Sequence, residues 1–117
     1  MSITVYGIPN CDTFRKARKW LEQQSVTFDF HDVRAQPVPL ATIMKWLEQL
    51  GSDKVINKRS TAWRELNAAQ KNITNNNDAA QLLQQYPTLM KRPLLDCHGT
   101  LCAGFNNKEW LAAVEQG

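Results

Sequence analysis

The sequence predicts an α/β fold, a small mixed sheet with helices on its faces, and three observations carry that prediction. The first 31 residues pass from an alternating segment to a segment of helical period and back to an alternating one, which gives β-α-β. Near the other end, "LLDCHGTLCAGF" divides into two strands around His98-Gly99 and leads into the amphipathic "NNKEWLAAVEQ", which gives β-β-α. Everything between is helical in character and punctuated by Pro, Gly and Asn. The two halves can share one sheet while the middle helices, about residues 38–87, bulge out as an insertion. A chain of 117 residues fits a single domain, 1–117, with enough length to bury a core without disulfides or a structural metal.

Each element has a local reason. Ile3 and Val5 alternate as a strand, and "GIPN" breaks it. From Thr13 the period lengthens: Phe14, Ala17 and Leu21 share a helix face with Trp20 beside them, while Arg15, Lys16, Arg18 and Lys19 take the other faces. Asp12 or Thr13 is the expected cap, and Ser25 lies just past the end. Val26, Phe28 and Phe30 then alternate with Thr27, Asp29 and His31 as a second strand. A crossover helix between two strands favours a parallel pair.

In the middle, "QPVPLATIMKWLEQLG" opens on prolines, sets Leu40, Ile43, Leu47 and Leu50 on one stripe, and stops at Gly51. "STAWREL" offers Ser60 or Thr61 as the cap of a short helix. "NITNNN" is a polar turn, and Asp78 is the expected cap of a helix through Ala79, Leu82, Leu83 and Tyr86 that Pro87 ends. In the terminal hairpin a two-residue turn pairs Cys97 with Thr100 and Leu95 with Cys102. That register does not set Cys97 opposite Cys102. The last helix is expected to bury Trp110, Leu111 and Val114.

Composition narrows the function. No stretch reaches the roughly 20 apolar residues of a membrane helix, and no basic region followed by an apolar run marks a secretory signal, so the expected address is the cytoplasm. Net charge is +3 with the basic residues scattered, the densest group being Asn57-Lys58-Arg59. A nucleic-acid reader gathers such residues into a patch or motif, so direct nucleic-acid binding is not expected. Three cysteines, an odd number, do not make a disulfide scaffold in a reducing compartment. Cys97-His98 and Cys102 lack a second ligand pair at finger-like spacing, so no metal is expected.

Cys11 is the residue that suits chemistry. It stands after Gly7 and Pro9, between a strand and a helix, and α/β folds bind ligands at the carboxyl ends of strands. A helix start brings a positive dipole end and unpaired N–H groups, which favour a thiolate, the nucleophilic form. Arg15 and Lys16 add positive charge one turn on, while Asp12 opposes it. The position three residues after Cys11, where a redox pair carries its second sulfur, is Phe14.

"YGIPNCDTFRKARKWLE", "INKRSTAWREL", "KRPLL" and "GFNNKEW", taken together and in order, resemble the arsenate reductase-like/Spx family of small bacterial thioredoxin-fold proteins. The resemblance spans nearly the whole chain and is nearest to the branch of glutathione-dependent thiol reductases. It implies a thioredoxin-like sheet with the helical insertion between its halves, and Cys11 as the nucleophile. It also implies a cis Pro93 facing the cysteine loop, and Arg92 as an anion-binding or thiolate-stabilising residue. Arsenate reductases of this kind gather three arginines around the oxyanion. Arg92 matches one, the second position falls near Asn57 with Lys58 and Arg59 beside it, and the third falls in "LCAGFNN", which has no arginine. Asn and Gly cannot replace the planar fork of arginine, which argues against arsenate as substrate.

The leading expectation is therefore a thiol oxidoreductase in which Cys11 forms a mixed disulfide. With no local resolving cysteine, glutathione releases it as a co-substrate, glutaredoxin being a further candidate partner, and no tightly bound cofactor is needed. Arg15 and Lys58 join Arg92 and Pro93 as candidate substrate- or anion-binding residues. The alternatives are an Spx-type regulator that binds RNA polymerase, its Cys-x-x-Cys switch removed by Phe14, and an arsenate reductase.

Overall fold

The computed structural model describes residues 3–116. The elements run β1 (Ile3–Gly7), α1 (Asp12–Gln23), β2 (Asp29–Asp32), α2 (Leu40–Leu50), α3 (Ser52–Val55), α4 (Thr61–Arg64), α5 (Ala68–Lys71), α6 (Asn76–Gln85), a 3-10 turn at Pro87–Leu89, β3 (Leu94–Cys97), β4 (Thr100–Ala103) and α7 (Asn107–Gln116). They fall into two compact units. One takes the chain up to Val33 and again from Arg92; the other is Arg34–Lys91.

The first unit is a four-stranded sheet in the order β2-β1-β3-β4. β1 and β2 are parallel, as the crossover helix requires, and the other neighbours are antiparallel. Leu95 pairs with Cys102 and Cys97 with Thr100, the register expected from the turn. His98 (φ 52°) and Gly99 (φ 94°) both lie in the left-handed region that a two-residue hairpin turn demands, and Asp96 Oδ1 accepts from the Gly99 N–H at 2.9 Å. One face of the sheet carries Val5, Leu95, Cys97 and Cys102, and both helices of this unit pack on it. Phe14, Ala17 and Leu21 come from α1 and Trp110 and Ala113 from α7, all at most 7% exposed. Trp110 also donates its indole N–H to the Gly104 carbonyl at 2.9 Å and meets Phe105 edge to face.

Three expectations shift here. The helix cap is Cys11, one residue before Asp12: its backbone is extended (φ −119°, ψ 126°) and its carbonyl accepts from the Arg15 N–H at 3.0 Å. Asp12 is thereby placed in the first turn, where a negative charge suits the dipole. β2 starts only at Asp29, because Ser25 turns the chain (φ 58°) and the Val26 N–H bonds to the Leu21 carbonyl instead of a ladder. Val26 and Phe28 still pack against the core from outside the strand. On α7 it is Ala113, three residues after Trp110, that is buried, while Leu111 is 38% exposed, a third of a turn away from Trp110.

The second unit is helical, with α2 packed against α6. In α2 burial falls on Ile43, Trp46 and Leu47, whereas Leu40 and Leu50, at its first and last positions, are not buried. The cap of α6 is Asn75, whose side chain accepts from the Asp78 N–H at 2.8 Å; Asp78 sits in the first turn and accepts from the Thr74 hydroxyl. α3 and α5, four residues each, are too short to show a period in the sequence. A reciprocal Asn67–Gln70 capping box closes α5. The segment from Val55 to Asn57 is tied to the chain after α6: Asn57 N–H donates to Leu89, and Lys91 N–H donates to Val55, both at 2.7 Å.

Candidate functional site

In the first unit, several loops meet at one edge of the sheet, the carboxyl end of β1. β1 ends at Gly7, beside Asp32 at the end of parallel β2, and four residues later the chain enters α1 at Cys11. β3 runs antiparallel to β1, so its start, and Arg92-Pro93 before it, lie at this same edge. The Arg92-Pro93 bond is cis, as the resemblance implied, and Pro93 is buried. A Cβ built on Gly7 would stand 3.7 Å from Pro93 Cα and Cβ, ordinary van der Waals contact, so the end of β1 lies directly beside Pro93. The Pro93 carbonyl accepts from Gly104 N–H at 3.0 Å, which brings the end of β4 to the edge as well.

Cys11 is the one cysteine of the three that is not buried. Its side chain makes no cap hydrogen bond, and it touches the core cluster from the rim. The first N–H groups of α1 have no partner within the helix and are donors beside it. Arg15 is not aimed at the sulfur in isolation: it forms an ion pair with Asp12 at 2.6 Å, with both side chains mostly exposed. Such a pair contributes little stability, but it cancels the Asp12 carboxylate next to Cys11. Phe14 is 4% exposed and packs on Phe30 with ring centroids 4.4 Å apart, so the position of a second sulfur is filled by core.

Cys97 and Cys102 are core residues. Each thiol points to a carbonyl of α7, Cys97 to Ala113 at 3.5 Å and Cys102 to Glu109 at 3.8 Å. Burial pushes both thiols up from the ordinary range; Asp96 adds to this for Cys97, and Glu109 and then Cys97 add to it for Cys102. Tyr6, in ring contact with His31 at 5.1 Å, is raised mainly by burial and then by the charge of Asp96. Among the described residues no three His, Cys, Asp or Glu side chains gather as metal ligands.

Lys58 belongs to the second unit. Its ammonium lies 3.3 Å from Asp53 and 5.6 Å above the Trp63 ring. There it lines an open pocket of about 490 Å³ with Asp53, Ile56, Asn57, Arg59 and Lys91. Sequence reasoning had Lys58 and Arg59 but not Lys91 or Asp53. Lys91 stood in plain view before Arg92-Pro93, but its pairing to Val55 depends on tertiary structure.

A thioredoxin-like α/β unit with a half-buried cysteine at the cap of its first helix, and Pro93 at the same sheet edge, places the protein in the thioredoxin-like class. Within that class the sequence matches the ArsC family over residues 6–113, and the protein belongs to that family. An uncharacterised protein of Haemophilus influenzae is 43% identical over 111 residues, 95% of this chain and 97% of its own. The global transcriptional regulator Spx of Streptococcus pneumoniae is 31% identical over 109 residues, 92% of this chain and 81% of its own. Among solved structures, YffB protein has a TM-score of 0.91 at 34% identity, covering 97% of this chain and 99% of that one. An arsenate reductase related protein from Brucella melitensis has a TM-score of 0.73 at 33% identity, covering 96% and 93%. No helix among the described residues is long and apolar enough to cross a membrane.

Proposed function

We propose that the protein is a cytoplasmic thiol-disulfide oxidoreductase that works through Cys11 alone and takes its second thiol from glutathione. Cys11 thiolate attacks one sulfur of a substrate disulfide, forming a mixed disulfide and expelling the other sulfur as a thiolate. Glutathione thiolate then attacks that mixed disulfide, releases Cys11 as thiolate and leaves as a glutathione disulfide; electrons pass from glutathione to substrate. The observation that carries this reading is the contrast among the sulfurs: Cys11 stands at the helix start on the sheet edge, while Cys97 and Cys102 are buried against α7 and Phe14 fills the usual resolving position. Arg92 and Pro93 are assigned to the binding side of the site, Arg15 to neutralising Asp12, and glutaredoxin to a second route of release. Arsenate is disfavoured by the missing arginines.

Incubation with oxidised glutathione, followed by intact mass and peptide mapping, tests the proposal. One glutathione on Cys11, none on Cys11→Ser, and release by reduced glutathione are expected. A wild-type chain that takes up no glutathione refutes it. A second reading, a regulator that binds RNA polymerase, is supported by the Spx relative; it predicts co-purification with RNA polymerase and no thiol turnover.

A further inference from the structure

The pocket of the second unit has a composition that the thiol chemistry does not use. Lys58, Arg59 and Lys91 supply three cations and Asp53 one carboxylate, with buried Ile56 and the amide of Asn57 between them. Its volume of about 490 Å³ is that of a site for a small organic ligand. The frame is fixed from several sides. Val55 and Lys91 are joined by a backbone bond of 2.7 Å, Ile56 bridges Met90, and Asn57 Oδ1 accepts from the Arg59 N–H at 3.0 Å. The Arg59 carbonyl in turn accepts from the Arg64 guanidinium at 3.0 Å. Among the described residues, the only ion pair made by these four charged side chains is Lys58–Asp53, with both partners largely exposed. An exposed pair of this kind is cheap to exchange for a ligand's charges.

We propose that this pocket binds a small peptide bearing two carboxylates and one ammonium, the charged groups of glutathione. Arg59 and Lys91, which carry no ion pair among the described residues, take one carboxylate, and Lys58 takes the other. Asp53, released from Lys58, takes the ammonium. The match is in sign and number: a simple dianion would leave Asp53 facing it with like charge, whereas a zwitterionic dicarboxylate uses all four groups. The choice of glutathione rests on the function proposed above; the choice of residues rests on the pocket alone.

The probe is S-methylglutathione, which keeps every charged group and cannot exchange disulfides, titrated into the wild-type chain with reductant present. Shifts are read at the Trp63 indole N–H, beneath the Lys58 ammonium, and at the amides of residues 53–59. Saturable shifts there are expected, weakened about tenfold by Arg59→Gln or Lys91→Gln, the loss of one hydrogen bond to a charged group. Asp53→Asn separates recognition from mere charge: it lowers affinity for S-methylglutathione and raises affinity for glutarate, which has two carboxylates and no ammonium. An unchanged preference in Asp53→Asn, no shift at these residues, or tighter binding of inorganic phosphate overturns the inference. If Cys11 still takes up glutathione while the pocket stays silent, this inference falls and the thiol chemistry stands. If the pocket binds while Cys11 stays unmodified, the reverse holds.

Discussion

Under the proposed function, replacing Phe14 with cysteine should supply the second thiol from within the chain, at a large cost in stability. Position 14 is the third residue of α1 after its cap, Cys11, so a thiol there lies one turn into the helix from the nucleophile. The cost follows from burial: Phe14 is 4% exposed and stacked on Phe30. Cutting a buried phenylalanine to alanine costs about 3–5 kcal/mol, and a sulfur restores part of the lost contact, so about 3 kcal/mol is expected. Against a total stability of about 5–15 kcal/mol the variant should still fold. At about 4 °C per kcal/mol for a chain of this size, Tm should fall by about 12 °C. With oxidised glutathione, wild type should end with one glutathione retained on Cys11. In Phe14→Cys the new thiol attacks Cys11 Sγ, expels glutathione as thiolate and leaves an internal disulfide with no adduct, which intact mass distinguishes. A folded Phe14→Cys that retains glutathione as wild type does would refute the claim that Phe14 alone stands between this site and a two-sulfur site. A Tm within about 2 °C of wild type would refute its role in the core.

Stability should fall as pH rises above the ordinary thiol value of 9.0, because Cys97 and Cys102 are raised by burial in the folded chain. There the unfolded chain has already lost the protons that the folded chain keeps, whereas below that range the thiols contribute no slope. Denaturant midpoints at pH 8 and pH 10 should therefore diverge more for wild type than for Cys97→Ala/Cys102→Ala, and an equal divergence would refute the assignment; Tyr6, raised in the same sense, leaves a residual slope in both. Trp110→Ala should cost about 3–5 kcal/mol in chemical denaturation, since it empties a fully buried site between Trp20, Phe105 and the sheet. Asn75→Ala should cost about 1 kcal/mol by removing the acceptor for the Asp78 N–H, while Asn76→Ala, one position inside the helix, should cost less.

What the sequence disclosed follows the range of the forces concerned. β1, α1 and the β3–β4 hairpin were legible, the hairpin down to its register, because alternation, a helical stripe and a His-Gly turn each act over a few residues. Ser60 was legible as the cap of α4, but two other caps were displaced: Asp12 and Asp78 look like caps, yet each occupies the first turn behind Cys11 and Asn75. Both places favour an acceptor or negative charge, so residue type cannot separate them. Leu111 was taken for core in place of Ala113, since hydrophobicity ranks leucine first while the packing of Trp110 selects the residue three places on. In the candidate sites, Cys11 was legible from its junction. The company of Lys58 was not, because Asp53 meets it across the turn after α3 and Lys91 is brought to that segment by the Val55–Lys91 backbone bond.

The three thiols stand in different surroundings within one unit. On the strands, Cys97 and Cys102 face the core, and burial together with nearby carboxylates holds them protonated beneath α7. Their sulfur acts there as a small apolar group with a weak hydrogen bond to give. Cys11 occupies a cap, a place where serine, threonine or aspartate would spend its side-chain oxygen on the helix. Its side chain makes no such bond, so α1 forgoes a stabilising contact of about 1 kcal/mol at this end. Cys11→Ser should recover part of that contact while abolishing glutathione uptake. A gain in stability coupled to a loss of glutathione uptake is what the proposed use of this cap position entails, and a serine variant less stable than wild type would argue that the sulfur is there for packing.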